Sequence, residues 1–104
     1  MHATIRRYDA IDQKRTDELV QKTEGSLVPR LSALPGFKGY YLIEGGNGVL
    51  SSVGIFDTEA HAEESTRVAS NWVREEKLET ALANPPKITS GKVLVQKTRE
   101  LVAV

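Results

Sequence analysis

The stretch GYYLIEGGNGVLSSVGIF, residues 39–56, decides the fold because it has the pattern of two β-strands joined by a tight turn. Glycine and asparagine, the residue types that hairpin turns require, cluster between residues 45 and 48. The turn is predicted at Gly46-Asn47 or across the whole cluster. The resulting register pairs Glu44 with Val49, Leu42 with Ser51, Tyr40 with Val53, and Gly39 with Gly54.

Both faces of this hairpin carry apolar side chains. One face is predicted to hold Phe37, Tyr41, Ile43, Leu50 and Phe56, and the other Tyr40, Leu42, Val49, Val53 and Ile55. A sheet with one face in water would instead alternate apolar and polar residues. Each face must therefore be covered by another part of the protein or by a second molecule.

Composition limits the function classes. The 104 residues suffice for one domain, and 14 basic residues balance 14 acidic ones, which argues against a nucleic-acid or anionic-membrane partner. Cysteine is absent, so thiol nucleophiles and thiolate metal sites are excluded. His2 and His61 lie far apart, and we expect neither a metal nor another cofactor. No apolar run is long enough for a signal peptide or a membrane span, so a cytoplasmic protein is expected.

The elements around the hairpin complete a familiar order. Residues 3–8 alternate as a first strand, and residues 16–34 carry a helical apolar stripe. Because Pro29 cannot donate to the carbonyl of Gly25, this helix should be interrupted near Gly25-Ser26. A second helix is predicted from Thr58 to Leu82 after an Asp57 cap, and a last strand covers residues 88–96.

This order predicts an α+β, ferredoxin-like βαββαβ fold, with a four-stranded antiparallel sheet and two helices on one face. The helices cover one side of the hairpin, and a second copy of the chain is expected on the other, so we predict a homodimer. The domain spans residues 1–97. The C-terminal tail, residues 98–104, is expected to dock Leu101, Val102 and Val104 on the partner subunit.

Two segments, LPGFKGYYLI (residues 34–43) and GIFDTEAHAEES (residues 54–65), resemble the antibiotic-biosynthesis monooxygenase-like family of the dimeric α/β-barrel superfamily. Pro35-Gly36 would make a turn and Phe37 would anchor the strand. The resemblance implies two sheets packed face to face across a dimer axis, with a pocket in each subunit between its helices and sheet. It also implies several activities, including cofactor-independent oxygenation, haem degradation and isomerisation.

The haem-degrading branch is disfavoured residue by residue. That branch places an Asn on strand one, and a Trp and a His on helix two. Here only Trp72 has a counterpart, because residues 3–8 contain no Asn and no His follows Trp72.

Five residues are candidates for chemistry. Trp72 and Glu76 lie one turn apart on the inward stripe of helix two, as a pocket wall and a general base, with Asn71 beside them to orient a carbonyl. Tyr41 is expected in the pocket, and Arg7 could balance an enolate or phenolate. Packing alone would also account for Trp72 and Tyr41, with the three polar side chains reaching solvent.

Two functions remain open at this point. The first is a cofactor-independent monooxygenase that deprotonates a phenol or quinol and holds its anion in a dry pocket for reaction with dioxygen. The second is a homodimer without catalytic activity that binds a small aromatic ligand or serves a structural role.

Overall fold

The computed structural model describes residues 1–99 of the chain. The elements are β1 (His2–Tyr8), a 3₁₀ turn (Gln13–Arg15), α1 (Thr16–Lys22), a π-helical turn (Thr23–Leu27), α2 (Val28–Ser32), β2 (Phe37–Gly46), β3 (Val49–Phe56), α3 (Glu59–Glu75) and β4 (Lys87–Lys92). The strands form one antiparallel sheet in the order β2-β3-β1-β4, and α2 and α3 pack on the same side of it. The predicted ferredoxin-like fold is confirmed.

The hairpin turn is made by Asn47-Gly48, one residue later than Gly46-Asn47. Both turn residues have positive φ, 51° and 78°, as a type I′ turn requires. Gly45 is then an extra residue in β2, and the register shifts across it. The observed pairs are Glu44 with Leu50, Leu42 with Ser52, and Tyr40 with Gly54, so the predicted register was wrong by one residue.

That single residue changes which side chains point toward the helices. We call the covered side the helix-side face and the opposite side the outer face. Tyr40 and Leu42 lie on the helix-side face with Leu50 and Ser52, whereas Tyr41 and Ile43 are exposed on the outer face beside Val53. The predicted grouping of β2 residues was therefore wrong, because a shift of one residue moves each side chain to the other face.

The first helical segment is interrupted where Pro29 predicts it. The N–H of Val28 donates to the carbonyl of Thr23, five residues back, so residues 23–27 form a π turn between α1 and α2. Buried residues follow at intervals of four, at 19, 23, 27 and 31. In an α-helix, each residue of such a series lies about 40° further around the axis than the one four positions before it, so the series would leave the buried face. The wider π turn offsets this rotation and keeps the four residues on one side.

The second long helix is shorter than predicted, since α3 ends at Glu75 rather than Leu82 and its N-cap is Thr58 rather than Asp57. Lys77 adopts φ 56°, the N–H of Leu78 donates to the carbonyl of Val73, and the N–H of Lys77 donates to that of Arg74. These bonds define a Schellman motif, in which glycine usually occupies the left-handed position. The sequence did not predict this helix end because lysine, not glycine, occupies the left-handed position at residue 77. Leu78 and Ala81 still reach the core from the loop that follows.

The last strand also ends early, at Lys92 instead of Gln96. Its partner β1 begins at His2, and the final bond along this edge joins the N–H of Val93 to the carbonyl of Met1. Among residues 1–99, no strand pairs with the chain beyond that point. The predicted docking of Leu101, Val102 and Val104 lies outside the described residues.

Candidate functional site

A small cavity lies between the helix-side face of the sheet and the helices, and we call it the inner cavity. Its volume is about 30 Å³, room for one or two water molecules. Most of its walls are apolar, with a few polar groups at one end. The lining residues are Arg6, Tyr8, Leu19, Thr23, Leu27, Tyr40, Leu42, Leu50, Ser52, Ala69, Trp72, Val73 and Leu82.

Arg6 is the charged residue of the inner cavity. Its side chain is only 4% exposed, and its Nη2 donates to Thr66 Oγ1 at 2.8 Å. Its Nε is buried without a hydrogen-bond partner, and within residues 1–99 no carboxylate forms an ion pair with it. Burial lowers the pKa of the Arg6 guanidinium, with Tyr8 and Tyr40 acting in the opposite direction. An arginine nevertheless stays charged near neutral pH.

Two tyrosines flank this cation. Tyr8 follows Arg6 by two positions on β1 and shares its face, and Tyr40 lies across the sheet on β2. Burial raises the pKa of both phenols; a hydrogen bond with Ser52 and then the Arg6 charge oppose this rise for Tyr40, and the Arg6 charge opposes it for Tyr8. Both hydroxyls therefore stay protonated at neutral pH and are able to donate hydrogen bonds into the cavity.

Trp72 lines the inner cavity from α3, as the inward stripe predicts. It is 3% exposed, and its indole Nε1 donates to Ser26 Oγ at 3.0 Å. Ser26 belongs to the π turn, so the interruption of the first helix supplies the acceptor that fixes the indole. The ring thus forms a fixed wall of the cavity.

Glu76 does not line the inner cavity. The Ser26 hydroxyl lies 3.5 Å from Glu76 Oε1, and Lys22 Nζ lies 3.8 Å from Oε2. The predicted placement beside Trp72 is therefore wrong, because α3 ends at this point and the side chain turns toward Lys22. The Glu76 side chain is linked to the Trp72 indole through Ser26, and the Glu76 backbone N–H donates to the Trp72 carbonyl.

Three further candidates lie away from the cavity. Tyr41 is 61% exposed on the outer face, and Arg7 lies on the same face with its Nε 3.0 Å from Asp9 Oδ1. Asn71 is exposed on α3, where its Oδ1 accepts from Arg74. The predicted placement of Tyr41 and Arg7 in the pocket is wrong, and Asn71 is outside it. Their immediate neighbours Tyr40 and Arg6 occupy the cavity instead.

Arg6 was missed because strand one was oriented by its apolar side chains. Ala3 and Ile5 suggested that their face pointed inward, yet both lie on the outer face, while Thr4 and Arg6 are buried. A usable signal was present in the neighbouring strand. Arg6 is directly opposite Ser52, a small residue that leaves room for a long side chain.

A larger cavity adjoins the inner one, and we call it the side cavity. It measures about 420 Å³ and lies between the C-terminal half of α3 and the loop at Asn84-Pro85-Pro86. Tyr8, Val73 and Leu82 line both cavities and form the wall between them. Movement of these side chains would join the two into one site large enough for an aromatic ring.

No three His, Asp or Glu side chains within residues 1–99 are grouped so that they could hold a metal ion. No helix in this part of the chain is both long and apolar enough to cross a bilayer.

No protein-family model matches the chain, and no curated protein sequence matches it. Solved structures do share its fold. A monooxygenase from Streptomyces coelicolor in complex with the ligand nanaomycin D has a TM-score of 0.72 and 14% identity, with 95% of this chain and 92% of that one covered.

Two further structures extend this likeness. An antibiotic biosynthesis monooxygenase has a TM-score of 0.68 and 14% identity, covering 91% of this chain and 100% of that one. A dimeric ferredoxin-like protein from an uncultured marine organism has a TM-score of 0.71 and 16% identity, with coverage of 95% and 92%. Another similar structure is a protein of unknown function. At these identities the likeness establishes the fold, and it confirms the predicted resemblance to antibiotic-biosynthesis monooxygenase-like proteins at that level.

Proposed function

We propose that this protein is a homodimeric, cofactor-independent oxygenase that oxidises a phenol or quinol with dioxygen. The observation that carries the proposal is the inner cavity, where Tyr8, Tyr40 and Trp72 surround one buried cation. The aromatic walls exclude water from this cation, and the two phenolic hydroxyls suit the oxygen of a ring that lies in the adjoining side cavity. The similar structures that are monooxygenases favour the same reaction class.

The substrate would occupy both cavities. The inner cavity is too small for a ring, so the ring lies mainly in the side cavity while its oxygen points past Tyr8 toward Arg6. Binding then requires Tyr8, Val73 or Leu82 to move. Closure of these apolar and aromatic side chains over the ring excludes water from the reacting carbon.

The reaction balances without a resident redox group. In a phenol with a free para position, the O–H bond and the para C–H bond break, and a second C=O bond forms to give a quinone. One atom of dioxygen enters the quinone, and the other leaves as water with the two hydrogens. Dioxygen accepts the four electrons that the phenol loses. The protein binds and orients the ring, and Tyr8 and Tyr40 donate hydrogen bonds to oxygen atoms that become negative.

A matched pair of variants tests this function. Oxygen uptake is measured with a panel of phenols and quinols for the parent protein, Tyr40→Phe and Tyr41→Phe. Loss of one hydrogen bond to a charged oxygen should lower kcat/KM about tenfold in Tyr40→Phe, whereas the outward-facing Tyr41→Phe should match the parent. Equal effects of both substitutions would contradict the proposed site.

The same panel of phenols and quinols distinguishes an oxygenase from the main alternative, a protein that binds such molecules without oxidising them. Ligand binding without oxygen uptake by any member would favour a small-molecule-binding homodimer that performs no oxidation. The absence of a carboxylate or histidine from the lining of the inner cavity is the observation that keeps this alternative open.

We also propose that the outer face is the dimer interface. Ile5, Tyr41 and Ile43 are large apolar residues exposed on this face, and Val53 lies between Ile5 and Tyr41 in the register. A monomer would leave this patch in water, and a similar structure is a dimeric protein. Light scattering at micromolar concentration should give the mass of a dimer, and a monomer mass would exclude this arrangement.

A further inference from the structure

We infer that Arg6 is an anion-binding residue of the inner cavity, and that it selects ligands presenting one ionised oxygen on a planar ring, such as a phenolate or enolate. The inference rests on the proposed function only in treating the two adjoining cavities as a ligand site. It concerns binding, so it is tested without any oxidation.

The first argument is the state of the guanidinium. A charge removed from water is normally paired, and Arg6 is 4% exposed with no carboxylate partner within residues 1–99. One of its nitrogens donates to Thr66, while Nε is buried and has no partner. A water molecule in the cavity could accept from Nε but could not balance the charge. An anionic oxygen does both.

The second argument concerns the kind of anion. Tyr8 and Tyr40, whose raised pKa values keep them protonated, offer further donors near the same position. Besides the hydroxyls of Thr23 and Ser52, the remaining walls are apolar or aromatic, and they would leave some oxygens of a phosphate without donors. A single oxygen attached to an apolar ring matches this arrangement best.

The third argument is the absence of a base from the cavity lining. Within residues 1–99, no Asp, Glu or His lines the inner cavity, where the ligand oxygen would lie, and Glu79, which lines the side cavity, would lie beside the ring instead. An adjacent cation favours the ionised form of a neighbouring acid, typically lowering its pKa by about one to three units. Arg6 therefore promotes ionisation of the ligand itself, and the proton leaves to solvent.

The experiment uses 4-nitrophenol, whose anion is yellow and whose neutral form is not. The probe is titrated with pH in the presence of the parent protein and of Arg6→Met, Arg6→Lys and Arg7→Met. In the parent, the pKa of the bound probe should fall by about one to three units. Arg6→Met should abolish this fall, Arg6→Lys should retain part of it, and Arg7→Met should resemble the parent because Arg7 faces outward.

A neutral analogue tests whether the cavity keeps its shape in the Arg6→Met variant. Binding of 4-nitroanisole, which cannot ionise, should be the same in the parent and in Arg6→Met, and its retention would show that the variant is folded and still forms the cavity. The inference is overturned if the bound 4-nitrophenol shows no shift in the parent, if Arg6→Met keeps the shift, or if neither probe binds at millimolar concentration. Displacement of the probe by an equal concentration of inorganic phosphate would also overturn it, since the site would then accept any small anion.

Failure here is distinguishable from failure of the proposed function. A shifted probe pKa without oxygen uptake on any phenol leaves Arg6 as an anion site and removes the oxygenase proposal. Oxygen uptake on a phenol, together with an unshifted probe pKa, removes Arg6 as an anion site and leaves the oxygenase proposal standing.

Discussion

The two faces of the sheet carry the same pair of residue types in different surroundings. Arg6 and Tyr40 lie on the helix-side face, and their sequence neighbours Arg7 and Tyr41 lie on the outer face. Arg6 is 4% exposed without a carboxylate partner in residues 1–99, whereas the Arg7 side chain is 55% exposed and pairs with Asp9. The alternation of the strand thus decides the surroundings of each side chain, because adjacent residues of one type point either to the dry inner cavity or to the outer face.

The inward position of Tyr40 depends on the extra residue at Gly45. Deleting that residue should therefore abolish the difference between Tyr40 and Tyr41. Without the bulge, either the Asn47-Gly48 turn is lost or β2 slips by one residue and carries Tyr40 and Leu42 outward. Loss of burial for two large side chains should lower the free energy of unfolding by about 3 kcal/mol or more. Denaturant unfolding followed by circular dichroism measures the change.

Gly45→Ala is the matched control for this deletion. It keeps the residue count, and its added Cβ would meet Val49, with the nearest side-chain atom at 3.3 Å and the backbone oxygen at 3.7 Å. Its effect should stay within about 1 kcal/mol. A deletion variant as stable as Gly45→Ala would show that the bulge does not fix the register.

A charge on the outer face tests whether that face is buried in a dimer. Val53→Asp would place one carboxylate of each subunit in the interface without a partner, so the dimer dissociation constant should rise by about a hundredfold or more. Sedimentation equilibrium measures it, and Val53→Thr, similar in shape but uncharged, should change it much less. An unchanged dimer dissociation constant in Val53→Asp would show that the outer face is not the dimer interface.

Replacing each arginine by methionine compares the faces directly. Arg6→Met removes a buried charge and fills similar space with an apolar chain, so it should raise the free energy of unfolding by about 1 kcal/mol or more. Arg7→Met, on the exposed side, should change it by less than about 0.5 kcal/mol. Thermal and denaturant unfolding give both values, and a loss of stability in Arg6→Met larger than in Arg7→Met would contradict the interpretation of Arg6 as an uncompensated charge.

The smallest effect concerns an ion pair far from either face. Hydrogen bonds from Arg15, and then from Lys22, lower the pKa of Glu18 from 4.5 to about 2. A lowered pKa contributes stability that is present above pH 4.5 and is lost as the pH falls toward 2. The parent should therefore exceed Glu18→Gln in stability near neutral pH by a small margin.

The pH at which this margin disappears is the measurable result. Unfolding curves of the two proteins should converge between pH 4.5 and about 2. Glu24→Gln removes an exposed carboxylate that forms no ion pair within residues 1–99, and it should show no such convergence. A constant difference between parent and Glu18→Gln down to pH 2 would exclude this ion pair as the cause.

The order of the elements was predictable from sequence, because apolar periodicity, proline and turn residues act locally. The glycine and asparagine cluster at residues 45–48 predicted the hairpin, and Pro29 predicted the interruption near Gly25-Ser26. The end of α3 was not, since Lys77 takes a conformation that its residue type disfavours. Local signals therefore located the elements but not every boundary.

The candidate site was harder to predict because it depends on which face of each strand turns inward. Both faces carry apolar residues, so alternation alone could not distinguish Arg6 from Arg7 or Tyr40 from Tyr41. For Tyr40 and Tyr41 the face was set by the bulge at Gly45, and a bulge has no reliable signature in one sequence. Trp72 was located correctly because helical periodicity continues without interruption up to it.

The π turn has an evolutionary consequence. Such a turn holds one residue more than the α-helical turn it replaces, and Ser26, the acceptor for the Trp72 indole, lies within it. Deletion of a single codon between residues 23 and 27 would therefore remove the extra residue and change the position of Ser26 relative to Trp72. The hydrogen bond that fixes the Trp72 indole in the cavity wall can thus be lost in one mutational step. The sheet that holds Arg6 does not change.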